Sequence, residues 1–142
     1  MKALVAAMVG WIASVSDLPE PERPPSVARV PPGELAELAR PPDSRLPHAG
    51  DTYVALYRPR DRTVVLRADW SRESLRDRSI LLHELVHHMQ REAGRRYPCR
   101  GAREAHAYAL QHRWLQARGA GLLETLRING LHLRTVTRCE AG

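Results

Sequence analysis

The stretch Leu75-Arg76-Asp77-Arg78-Ser79-Ile80-Leu81-Leu82-His83-Glu84-Leu85-Val86-His87-His88-Met89-Gln90-Arg91-Glu92-Ala93 decides how this chain folds. Its composition is helical, Ser74 and Asp77 stand in a capping-box relationship at its start, and Gly94 follows at its stop. Leu81, Leu82, Leu85, Val86 and Met89 form an apolar stripe, while His83 and His87, one turn apart, share the opposite side. The helix thus buries its back and turns two imidazoles toward a cleft.

Two imidazoles at that spacing can offer their nitrogens to one zinc ion. Glu84 is rotated from His83 by about 100°, beside the ion's open position rather than on it, where a carboxylate can take a proton from zinc-bound water. Zinc brings that water's pKa to about 7 and polarises the carbonyl under attack. With seven histidines in 142 residues, the chance expectation of His-Glu-x-x-His is about 0.02 per chain. Gln90 lies on the ligand side, where it either orients a ligand or substrate or is a surface glutamine near the helix end.

A third protein ligand is needed, and the next helical segment, about Gly101 to Arg118, supplies candidates in Glu104, His106 and His112, with His88 on the first helix. Tyr108, Gln111 and Leu115 fall within about 40° of Glu104 on a helical wheel, and Ala107, Leu110 and Trp114 continue that packed face. A carboxylate there needs a cation, which makes Glu104 the expected third ligand, with a buried arginine pair as the alternative. His106 falls about 160° away and reads as exposed. His112 stays open as another ligand. His88 points away from His83 and reads as a partly buried histidine or a donor behind the ligands, and His48 and His132 as ordinary histidines. Tyr108 is either a hydrogen-bond donor to an oxyanion or a packed tyrosine.

Upstream, Thr52 to Tyr57 and Thr63 to Ala68 are rich in β-branched and aromatic residues around Arg58-Pro59-Arg60-Asp61-Arg62, and predict a β-hairpin. Residues 17–50 hold nine of the eleven prolines, which excludes a long helix. That segment leaves room for a short strand at Ser26–Val30 and about two helical turns over Gly33–Ala39. Downstream, Leu122 to Asn129 predicts a third helix ending at Gly130, and Leu131 to Arg138 an extended return. Strands followed by helices predict an α+β domain rather than a doubly wound sheet.

At the N-terminus, Met1-Lys2 leads into an apolar run from Ala3 to Ala13, with Ser14 and Ser16 placed for cleavage before Asp17. The run is shorter than the ~18 to 20 residues of a membrane span, so it reads as an export signal, against an uncleaved anchor or a core helix. Cys99 and Cys139 are the only cysteines and, in an oxidising compartment, are expected to pair. The net charge of +6 comes from dispersed arginines without long runs, which argues for a solvated basic surface and against a dedicated nucleic-acid site.

The segments HELVHHMQ at 83–90 and EAHAYALQ at 104–111 resemble the zincin-like metallopeptidases with a glutamate third ligand. More closely, they resemble small uncharacterised secreted bacterial zincin-like proteins, over roughly residues 50–139. The resemblance implies a small zincin-like domain in which a short sheet packs on the motif helix and on a second, ligand-bearing helix. It also implies His83, His87 and Glu104 as zinc ligands, Glu84 as base, and Thr63–Ala68 as the edge strand pairing with extended substrate. The sequence departs from the better-known glutamate-ligand peptidases at Tyr108, where they carry an acidic residue. The expectation is an export signal at 1–16, a proline-rich segment at 17–50 and a zincin-like domain at 51–142. That domain would hydrolyse peptides or cell-envelope material, or else serve as a non-catalytic zinc-stabilised binding module.

Overall fold

The computed structural model describes residues 1–39 and 54–140. His48 and the start of the strand expected from Thr52 lie outside the described residues. Among these there are six helices, α1 (Lys2–Val15), α2 (Pro32–Ala39), α3 (Leu75–Glu92), α4 (Arg100–Gln116), α5 (Leu122–Leu126) and α6 (Gly130–Thr137). Three strands, β1 (Ser26–Val30), β2 (Ala55–Arg58) and β3 (Thr63–Arg67), form a mixed sheet packed on the helices. The fold is α+β, as the sequence predicts.

The sheet order is β1-β3-β2, with β1 parallel and β2 antiparallel to β3. The hairpin is confirmed, its turn made by a 3₁₀ segment at Pro59–Asp61 and by Arg62 at φ 53°. The edge-strand expectation is not: β3 has a neighbour on each side, and β2 is the edge next to α3. Burial along β3 explains its central place. Val64 and Leu66 point into the main core, while Val65 is equally buried on the alternate face, where α2 brings Leu35 and Ala36.

Helix α3 begins as its sequence dictates: Ser74 Oγ accepts from the Asp77 N–H, and the Asp77 carboxylate in turn accepts from the Ser71 N–H. Its apolar stripe, Leu81, Leu82, Leu85, Val86 and Met89, is fully buried. Against it lie Ala107, Leu110 and Trp114 of α4, and also Val5, Met8, Val9 and Ile12 of α1. The apolar N-terminal run is therefore part of the folded core as described. Arg113 of α4 donates to the Val15 carbonyl at the end of α1, and Arg95, just after α3, pairs with Asp17.

The chain after Gly130 is helical rather than extended: α6 starts with Asn129 Oδ1 accepting from the His132 N–H, a side-chain cap that satisfies an otherwise unpaired donor of its first turn. Cys139 still returns to Cys99, and the two form a disulfide with Cα atoms 5.6 Å apart. Gly101 is needed beneath this link, because a side chain there would meet the Arg138 backbone carbonyl. The 40-residue separation corresponds to about 4 kcal/mol of chain entropy. Reduction is expected to lower the unfolding free energy by about that amount, read from denaturant unfolding with and without reductant; superimposable curves would refute it.

Candidate metal centre

The packing of α3 on α4 brings His83, His87 and Glu104 together. His83 Nε2 lies 3.1 Å from Glu104 Oε1, His87 Nε2 lies 2.6 Å from Glu104 Oε2, and the two imidazole Nε2 atoms are 3.2 Å apart. Nitrogen and oxygen ligands about 2.0–2.1 Å from a tetrahedral zinc ion stand roughly 3.3–3.4 Å from one another. The pairs at 3.1 and 3.2 Å need open by about 0.1–0.3 Å, and His87 Nε2 and Glu104 Oε2, at 2.6 Å, by about 0.7–0.8 Å, to reach that spacing. These residues fit such an ion in number, donor type and spacing, and they come from two helices, as the helical wheel requires.

Both ligand-type histidines rest on buried carboxamides. His83 Nδ1 is 2.9 Å from Gln111 Oε1 and His87 Nδ1 is 2.8 Å from Gln90 Oε1. Gln90 thus turns inward rather than to the surface. Gln111 was visible in the sequence only as a neighbour of Glu104 on the wheel; its spacing of seven residues from Glu104, two turns along the same face, is the signal that could have marked it. Tyr108 sets its ring edge-on to His83 at a centroid distance of 4.4 Å.

Glu84 stands beside the cluster with its Oε1 accepting from the Tyr57 N–H of β2 at 3.1 Å. The edge strand therefore fixes this carboxylate. Burial pushes Glu84 above the usual carboxylate range against the pull of His83 and His87, with Glu104 adding to the rise.

Three other histidines are engaged elsewhere. His88 is fully buried, its Nδ1 2.8 Å from the Tyr57 hydroxyl and its Nε2 2.9 Å from the Arg23 carbonyl. His106 is half-buried, not exposed, because the Tyr97 hydroxyl reaches its Nδ1 at 2.6 Å across the start of α4. His112 is not a ligand candidate in the fold: its Nδ1 accepts from the Leu122 N–H at the start of α5.

A family model described as domain of unknown function (DUF6647) matches residues 1–141. The chain belongs to this family. Neither a curated protein nor a solved structure matches it. The matched span takes in α1 as well as α3 and α4, so the apolar N-terminal helix and the metal-type cluster lie in one family domain.

The cluster also carries a pH signature. Burial raises the Glu104 carboxyl, but hydrogen bonds from His83 and His87 outweigh it and hold that group far below its ordinary 4.5. Burial lowers His87, yet its hydrogen bond to Glu104 and the charges of Glu84 and Glu104 raise it above its ordinary 6.5. A depressed carboxylate contributes stability that is present above 4.5 and lost as pH falls; a raised histidine contributes stability that is present below 6.5 and lost as pH rises through its folded value. Metal-free protein is expected to melt highest between those two values. The increment added by zinc should grow above this window, because metal displaces the proton on the cluster. Melting temperatures with chelator and with zinc across pH 4 to 9 check this; a zinc increment independent of pH would count against it.

Proposed function

We propose that this chain is a zinc-dependent hydrolase of amide bonds in peptides or cell-envelope material, with His83, His87 and Glu104 as ligands and Glu84 as general base. The observation that carries the reading is the convergence of His83 Nε2, His87 Nε2 and the Glu104 carboxylate beside the Glu84 carboxylate. When bound, zinc would supply Lewis acidity, which activates water and polarises a carbonyl at neutral pH.

The rest is the work of the chain's own side chains. Glu84 takes the proton of the attacking water and delivers it to the leaving nitrogen, a task suited to a carboxylate whose pKa burial has raised. The Tyr57 N–H, by holding Oε1, keeps that carboxylate aimed and leaves its second oxygen for the proton. The test is Glu84→Gln, which removes the base while sparing the ligands. Export to an oxidising compartment belongs to the same reading and is supported by the Cys99–Cys139 disulfide. No helix among the described residues is long and apolar enough to cross a membrane.

A second reading, a non-catalytic zinc-stabilised binding module, is favoured by the placing of the three donors across the α3–α4 interface, where an ion would cross-link two core helices. Chelation that unfolds the protein, with no cleavage of a broad peptide library, would select it.

A further inference from the structure

We propose that Gln90 and Gln111 are the positioning residues of this centre: two buried carboxamides that set both histidines in the one tautomer that presents Nε2 to the metal. The inference rests on the metal-site reading above. It adds what holds the ligands and why those groups are amides.

The direction of each hydrogen-bond chain follows from its far end. Ser79 Oγ donates to the Arg76 carbonyl at 2.8 Å, and a carbonyl can only accept. With its one proton committed, that hydroxyl receives the Gln111 Nε2–H at 3.0 Å. The amide nitrogen is thereby turned to Ser79 and the amide oxygen to His83. Gln111 Oε1 also can only accept, so His83 Nδ1 carries a proton, and Nε2, which faces Glu104, is the nitrogen that offers a lone pair once an ion displaces its proton.

A second chain has the same polarity. Gln90 Nε2 donates to the Arg103 carbonyl at 3.2 Å and lies 3.5 Å from His106 Nδ1. Its Oε1 accepts from His87 Nδ1. Both chains end on backbone carbonyls of the site helices, and both amides are almost completely buried, at 1% and 2% exposure. An unmatched amide at that depth would be costly, so neither is free to flip. The proton on Nδ1 of each ring is therefore set before any ion arrives, and Nε2 is left as the nitrogen that exchanges its proton for the metal.

The choice of amide over carboxylate has a chemical consequence. A glutamate at either position would accept from Nδ1 equally well but could not donate to Ser79 or to the Arg103 carbonyl, and it would add an anion behind each imidazole. Neutral amides leave Glu104 as the only anion among the ligands, so a divalent ion keeps a net positive charge and its pull on electrons.

That asymmetry separates a positioning role from a helix tie. Gln90→Leu and Gln111→Leu remove the acceptor for Nδ1–H, whereas Gln90→Glu and Gln111→Glu restore that acceptor while still lacking the amide donor. Zinc affinity, measured by competition with a chromophoric chelator, is expected to fall about 10- to 100-fold in the leucine variants. In the glutamate variants it should return to the wild-type value or tighten. Leucine variants that bind like wild type, or glutamate variants as weak as leucine ones, would overturn the proposal.

Long-range ¹H–¹⁵N correlation spectra of the zinc-loaded wild-type protein give a readout that needs no variant. Protons on Nδ1 of both rings are expected, and a proton on Nε2 of either refutes it. Wild-type protein that binds zinc no better than His83→Ala would bring down the metal-site reading and this proposal together. Wild-type binding with unaffected glutamine variants would bring down this proposal alone.

Discussion

Replacing Glu84 by glutamine is expected to leave zinc bound and to lower amide hydrolysis about 10²- to 10⁴-fold, the usual contribution of a positioned proton-transfer group. That range corresponds to roughly 3–5 kcal/mol of transition-state stabilisation. Glutamine retains an oxygen that can accept from the Tyr57 N–H, so the side chain keeps its place against β2. What it loses is the ability to take up a proton. Because Glu84 is rotated away from the His83 and His87 side of α3, it is not among the three atoms that converge, and zinc stoichiometry should not change. The measurement is turnover of a peptide mixture by wild type and variant at matched zinc content. Equal rates in both would remove Glu84 as base and with it the proposed mechanism.

The second large effect concerns the first helix. A chain beginning at Asp17 is expected to lose most of its cooperative stability, because α1 places Val5, Met8, Val9 and Ile12 in the core against α3. At about 1.5–3 kcal/mol for each fully buried side chain, their removal withdraws up to about 6–12 kcal/mol. A domain of this size has a total of only about 5–15 kcal/mol. Thermal unfolding of the full chain and of the chain from Asp17 tests this, and matching melting curves would refute it. The mass of the chain recovered outside the cytoplasm then bears on the leader reading: a chain starting at Asp17 supports cleavage there, and one that keeps its first sixteen residues makes α1 a permanent core helix.

The same helix shows where local reading stops. An apolar run of this length after Met1-Lys2 has the composition of an export leader and of a buried helix alike, because both need only an unbroken apolar surface. The partner that buries it lies on α3, more than sixty residues away in the chain. A similar limit applies to β3. Its hydrophobic run was legible as a strand, but whether a strand is central or at the edge depends on what pairs beside it, and β1 arrives there from within the proline-rich segment. The edge role near α3 falls instead to β2, whose Tyr57 N–H meets Glu84.

Helical periodicity determined that His83 and His87 share a helix face, that Glu84 is turned from them and that Glu104 lies on the packed face of the following helix, while composition and the order of strands then helices determined that the class is α+β. These follow from the 3.6-residue repeat and from local composition, which are properties of neighbours along the chain. Only the tertiary structure decided that Glu104 meets both imidazoles, that His106 and His112 are engaged elsewhere, and that Gln111 stands behind His83. Each of those depends on the distance and rotation between α3 and α4. Side-chain packing across the interface sets both, and no spacing within a single helix encodes them.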